Sequence, residues 1–312
     1  MFPSNPFESK VTAIDAERIN QLIQITGAQW EAKDTPLSKA KVAPGAMKYM
    51  GLAISPSEIS KEAKLAARTE PRAVSLQPPP PKVDWRNNGG NFVTEIKNQH
   101  ECGACVAFAT CAVLESRARI AQQAPHLSID LSEAHLFACG CGDCCDTGWV
   151  NSKALDFARR KGIGAETDFP YNTMRRDGCK PINAIVKVKA YAAIETLTVR
   201  KKVVAAKGPV SASMEVYEDF LSYGRGIYQH VTGSLIGYHA VCVVGYDDTD
   251  QSWIVKNSWG REWGDGGFFK IAYGQCGIDT RFAFYDADLV GIGTATRTRA
   301  RKPTREKELE NA

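Results

Sequence analysis

The sequence predicts an α+β fold of two subdomains, and three observations carry that prediction. Segments free of glycine and proline that suit helices come first, between about 104 and 161. Short apolar runs divided by glycine turns follow after about Lys187, the pattern of buried strands. No internal repeat organises the chain, so helices then strands read as two subdomains of an α+β protein.

Residues 1–82 hold no cysteine and end in Gln77-Pro78-Pro79-Pro80-Pro81, a run that favours an extended linker. Thr12 with Asp15 resembles a capping box, and Ile19, Leu22, Ile23 and Trp30 recur on one helical face. These predict a helix near 13–30, a shorter apolar element around Met47–Leu52, and a charged stretch to Arg72. So little apolar material cannot build its own core, and the segment is expected to dock onto the rest.

Residues 83–290 form the globular part. A helix is predicted from Cys105 to Ala121, with two more at Ser132–Ala138 and Asn151–Lys161. Strands are predicted at Pro209–Met214, His239–Val244, Ser252–Val255 and Gly267–Ala272. Residues 291–312 carry Arg297, Arg299, Arg301, Lys302, Arg305 and Lys307 against three glutamates, in a chain of net charge +4. A basic tail suits nucleic acid or an anionic membrane. This one lacks aromatics and apolar periodicity and reads instead as solvated and disordered.

Of the 312 residues, 44% are hydrophobic and 24% charged, as in globular proteins, and no run approaches the ~20 apolar residues of a membrane-spanning helix. The N-terminus lacks the basic start and apolar stretch of a secretory signal. Ten cysteines, seven of them between Cys102 and Cys145, point the other way, toward an oxidising compartment. Such clustering fits disulfides, a metal site, or one reactive thiol among structural neighbours.

Cys105 is the candidate nucleophile. A helix starting there would place partial positive charge beside its thiolate and lower its pKa. A thiolate needs an imidazole to protonate the leaving group and a third group to orient that ring. His239 sits in the buried-looking run Tyr238–Tyr246, and the next strand leads to Asn257-Ser258-Trp259-Gly260.

The segment Cys102-Gly103-Ala104-Cys105, the run His239-Ala240-Val241 and the run Lys256-Asn257-Ser258-Trp259-Gly260 together resemble the three signatures of the papain and cathepsin family of cysteine peptidases. His239 and Asn257 follow Cys105 by 134 and 152 residues, near the separations known for that family. The resemblance covers about 84–285, opening with Val83-Asp84-Trp85-Arg86. It implies the papain-like fold: a helical left subdomain, an antiparallel β right subdomain, and the active-site cleft between them. It also implies Gln99 as oxyanion donor with the Cys105 N–H, Asn257 as the group orienting His239, and Trp259 as their shield from water. Two departures stand out. Val106 replaces a tryptophan, and His100 with Glu101 replaces a small Gly-Ser pair.

By the same resemblance, Cys102 pairs with Cys145 (Cys144 is the rival) and Cys139 with Cys179. Zinc held by the four thiols of Cys139–Cys145 is the competing reading. Cys276 resembles a third family cysteine whose partner position is Gly233 here, so that bridge is expected to be missing. Cys111 and Cys242 fall on apolar elements as buried free thiols.

The resemblance further implies a specificity pocket formed by Trp149, Val150, Ser213, Gly237, Ala240 and Arg281, with Gly148 pairing with substrate as an added strand. Arg281 would either accept an acidic side chain or turn to solvent or to Asp279. The resemblance also implies that an exopeptidase would carry paired histidines in an added loop; none occur between Cys145 and Pro209, so it implies an endopeptidase. Ile19–Leu52 loosely resembles the short cathepsin B propeptide, with a targeting or partner-binding arm as the alternative. As a propeptide it would make the chain a latent zymogen, released by acid because protonating Asp15, Glu17 and Glu31 would weaken ion pairs that hold the arm. The resemblance implies a monomer with protein or peptide substrates and no cofactor. An acyl transferase or ligase, or a silent binding module, would share the same residues.

Overall fold

The computed structural model describes residues 15–40, 49–54 and 77–290. Thr12, Met47, the charged stretch after 54 and the basic tail lie outside the described residues.

Helix α1 runs Ala16–Thr26, capped by the Asp15 carboxylate, which accepts the Arg18 amide at 2.7 Å. It ends at Gly27, where a φ of 71° turns the chain out of the helix at no steric cost. Trp30 therefore does not lie on a helical face, as the spacing suggested. It stands on strand β1 (Gln29–Ala32), whose alternate residues Trp30 and Ala32 are buried. The short helix α2 (Pro36–Lys39) follows, opened by a Thr35–Ser38 capping box.

The remaining strands are β2 (Lys82–Asp84), β3 (Val188–Ile194), β4 (Val210–Tyr217), β5 (Tyr223–Tyr228), β6 (Leu235–Asp247), β7 (Ser252–Lys256), β8 (Phe268–Ala272) and β9 (Phe284–Leu289). They form one sheet ordered β1-β5-β8-β7-β6-β4-β9-β3, with β2 paired to β6. Every pairing is antiparallel except β5 with β8. The N-terminal segment thus supplies the sheet's edge strand. β2, β3, β5 and β9 were not foreseen. Tyr223–Tyr228 is broken by two glycines, and Phe284–Leu289 carries two aspartates.

The helices are α3 (Cys105–Ala121), α4 (Glu133–Gly140), α5 (Asn151–Arg160), the short α6 (Met174–Asp177) and α7 (Leu197–Lys207). Among the described residues, none is long and apolar enough to cross a membrane. α3 is buried on every side from Cys105 to Ala118, as befits a central helix between the sheet and the other helices.

That burial includes charge. Lys97 Nζ reaches Asp130 at 2.6 Å, Glu133 at 2.8 Å and Glu115 at 3.5 Å. Burial works against the Lys97 charge, but the Glu133 and Glu115 carboxylates outweigh it and raise its pKa. Glu115 also accepts the Thr94 hydroxyl, and Thr94 Oγ1 accepts Lys256 Nζ at 3.0 Å. The cluster thereby ties α3 to the end of β7, one residue before Asn257.

Candidate active site

Cys105 is the first residue of α3, and its sulfur accepts the Ala240 N–H at 3.3 Å. Ala240 follows His239 on β6, so that main-chain bond brings the imidazole to the thiol's side of the cleft. His239 Nε2 bonds Asn257 Oδ1 at 2.7 Å, and the same oxygen accepts the Ser258 N–H at 2.8 Å. An amide oxygen only accepts, so the ring proton lies on Nε2, and Nδ1 is left buried without a hydrogen-bond partner. The Trp259 ring covers the imidazole with centroids 4.6 Å apart and planes at 29°. Gln99 is fully buried. Its Oε1 accepts Ser258 Oγ at 2.7 Å, which aims its amide nitrogen at the Cys102 carbonyl, 2.9 Å away, and the Met50 carbonyl, 3.1 Å away.

Both ionisable groups are driven toward neutrality in this covered site. Burial pushes the Cys105 thiol up to about 12, against hydrogen bonds from Ala240, Val106 and its own amide. Burial pushes His239 down to about 4, against its bond to Asn257.

What covers them is the chain's own segment 49–54. The Tyr49 carbonyl accepts Trp259 Nε1 at 2.6 Å. Trp149 donates its N–H to the Gly51 carbonyl and accepts the Ala53 N–H, both at 2.8 Å, and Leu52 N–H reaches the Tyr238 carbonyl at 3.2 Å. Bonds from one residue to two that flank Leu52 are the parallel pattern. The arm pairs with Trp149, while the N–H of Gly148, the residue expected to pair with substrate, here donates to the Cys144 carbonyl at 2.7 Å. Gly51 has a φ of 104°, and a Cβ there would lie 2.2 Å from the Gly103 carbonyl oxygen, so only glycine passes this point.

Among the expected pocket residues, Gly237 faces Met50 so closely that a Cβ on it would sit 2.6 Å from the thioether sulfur. Ser213 is fixed by Asn151 Nδ2 at 2.9 Å, Ala240 and Trp149 are buried, and Val150 precedes α5. Arg281 differs from both expectations. Its guanidinium pairs with Glu215, while Asp279 accepts Trp253 Nε1 and the Gly274 N–H. Neither the arm's Tyr49–Ala53 main chain nor Glu215 was singled out as a site feature, although the apolar Met47–Leu52 run marked the first.

Cys102 is bridged to Cys145 and Cys139 to Cys179. A third bridge, Cys141–Cys144, takes the rival partner proposed for Cys102. The thiols that a zinc site would need are thus consumed, and among the described residues no His/Cys/Asp/Glu group suits a metal. Cys105, Cys111, Cys242 and Cys276 are free and buried.

Residues 79–285 match the family described as papain family cysteine protease. The chain belongs to that family. It is 40% identical over 223 residues to pro-cathepsin H of Bos taurus, covering 64% of this chain and 63% of that protein's length. A cathepsin L-like proteinase of Fasciola hepatica is 32% identical over 240 residues, with 71% and 70% covered. The solved digestive procathepsin L2 proteinase from Tenebrio molitor larval midgut superposes with a TM-score of 0.74 at 26% identity, covering 88% of this chain and 89% of that one. The papain-family fold, with helices on one side of a sheet-based half, is the architecture described above.

Proposed function

We propose that the chain is a cysteine-type endopeptidase held latent by its own residues 15–54. The observation that carries this reading is the convergence of Cys105, His239–Asn257 and the Gln99 amide on one cleft that an internal segment fills.

With the arm gone, the Cys105 sulfur attacks the scissile carbonyl carbon. His239 takes the thiol proton and returns it to the leaving amine, and Asn257 holds the ring in the tautomer that permits this. The developing oxyanion is met by the Gln99 side-chain amide and the Cys105 N–H. Water, deprotonated by His239, then releases the acyl group. The arm pairs in parallel with Trp149, so a substrate lying antiparallel there would traverse the cleft in the opposite sense, which supports inhibition without cleavage. Because Glu215 meets the Arg281 charge, the pocket beside Gly237 favours a bulky apolar side chain like that of Met50 over an acidic one.

The test is hydrolysis of a fluorogenic dipeptide amide by the full chain and by a chain beginning at Lys82. The shorter chain is expected to turn over and to be labelled at Cys105 by a thiolate-directed epoxide, with Cys105→Ala inert. Equal activity of both chains would remove the arm's role, and normal turnover by Cys105→Ala would remove the nucleophile. Product analysis with an added amine separates hydrolysis from acyl transfer.

A further inference from the structure

The Cys141–Cys144 bridge has no counterpart among the two pairings that the family resemblance implied. It closes a Cys141-Gly142-Asp143-Cys144 loop just past the end of α4. Both cysteines are half-buried, and Gly142, Asp143 and Asp146 around them are exposed. Cys102–Cys145, by contrast, is buried, at 3% and 4% exposure. Cys139–Cys179 is also within reach, with Cys179 exposed, but lies away from the Gly148–Trp149 main chain. Access decides which disulfide a thiolate attacks. A bridge that spans only two intervening residues also constrains the unfolded chain least, so its loss leaves the rest of the fold standing.

Its position gives it a lever on the cleft. The Cys144 carbonyl accepts the Gly148 N–H at 2.7 Å and the Thr147 N–H at 3.3 Å. The next residue, Trp149, is the one whose N–H and C=O hold Gly51 and Ala53. The Gly148 carbonyl oxygen lies 3.8 Å from the Cys141 sulfur, and the Trp149 ring packs on Gly140, where a Cβ would meet it at 2.4 Å. The bridge therefore braces, one peptide away, the wall against which the arm is strung.

We propose that Cys141–Cys144 is a reducible site for a small neutral dithiol, and that opening it loosens the hold of Trp149 on residues 51–53. Asp143 and Asp146 place negative charge beside the sulfurs, which disfavours an anionic thiol such as glutathione. One thiolate of the dithiol attacks a bridge sulfur and breaks the S–S bond. Its second thiol resolves the mixed disulfide, leaving a cyclic oxidised reductant and two protein thiols. Two electrons and two protons pass to Cys141 and Cys144. The consequence for latency rests on the reading of residues 15–54 as an inhibitory arm, whereas the chemistry and the loosening do not.

The experiment uses the full chain under native conditions with graded dithiothreitol, alkylation and peptide mapping, followed by amide hydrogen exchange. Cys141 and Cys144 are expected to be alkylated at about tenfold less reductant than Cys102 and Cys145. Exchange at the Trp149 and Ala53 amides is then expected to accelerate by about tenfold, with the Val255 amide in β7 unchanged. The Cys141→Ser/Cys144→Ser variant is expected to show the fast exchange without reductant. Joint opening of both bridges, or unchanged Trp149 and Ala53 exchange once Cys141 and Cys144 are alkylated, overturns the proposal. Because exchange is read without turnover, an inactive Lys82 chain would count against the peptidase reading alone.

Discussion

The Gln99 side-chain amide donates to the Met50 carbonyl at 3.1 Å, so the proposed oxyanion donor is already engaged by the arm. In an arm-free enzyme that donor is expected to act only as charge develops on the substrate oxygen. Gln99→Ala in the chain beginning at Lys82 should then lower kcat by about 10²–10³-fold with a smaller change in KM. Steady-state kinetics on a dipeptide amide check this, and an unchanged kcat would take Gln99 out of the reaction.

His239 makes the arm's docking sensitive to pH. While the arm is seated, burial holds the imidazole down at about 4, below its usual 6.5. In the Cys105→Ala variant no thiolate can pair with the ring, so the uncovered His239 is free to take up its proton in the usual range. A group depressed in the docked state contributes affinity that is full above the free value and is lost as pH falls through the window from about 6.5 to about 4. Arm peptide 15–54 should therefore bind the Cys105→Ala chain on the order of a hundredfold more weakly at pH 4 than at pH 7. Calorimetric titration at several pH values measures it. Flat affinity across that window would show that His239 protonates freely under the arm.

The half-buried cation Lys97, which faces the buried Glu115 and Glu133 carboxylates, should matter to stability more than to chemistry. Lys97→Met leaves Glu115, Glu133 and Asp130 without their shared partner, and removing one side of a buried pair costs about 3–5 kcal/mol. Chemical denaturation of the full chain is expected to show a loss of that size. A loss below about 1 kcal/mol would mean that water already reaches the cluster.

Much of this site could be read from the sequence because its residues sit in short local signatures. Cys105 opens a helix with no side-chain cap, His239 lies on β6, and Asn257 directly follows the neighbouring strand β7. The family resemblance supplied the pairings Cys102–Cys145 and Cys139–Cys179. Other features depend on contacts that spacing does not encode. Trp30 fits a helical period with Ile19 and Ile23, yet Gly27 ends the helix and the sheet edge at β5 captures the tryptophan. Arg281 has Asp279 two residues away, but Glu215, 66 residues distant in sequence, reaches it first. The use of both Trp149 main-chain groups by Gly51 and Ala53 of the arm is likewise a contact between distant segments that spacing does not encode.

The last prediction concerns what keeps the arm seated. Acid release was expected to act through carboxylates on the arm, but Asp15 caps its own helix, and Glu31 meets Arg225 in an exposed ion pair that contributes little. Trp30 is different. It is buried, and its ring lies 5.1 Å from that of Tyr228 and 6.1 Å from that of Tyr223. Its indole nitrogen has no hydrogen-bond partner, so truncation removes packing and strands no partner. Trp30→Ala should weaken docking by about 3–5 kcal/mol, which is on the order of 10²–10⁴-fold in arm affinity. Full-length Trp30→Ala is thus expected to hydrolyse a dipeptide amide at neutral pH nearly as fast as the chain beginning at Lys82, while Glu31→Gln stays latent. If Glu31→Gln is released and Trp30→Ala is not, the arm is held by charge and not by its aromatic anchor.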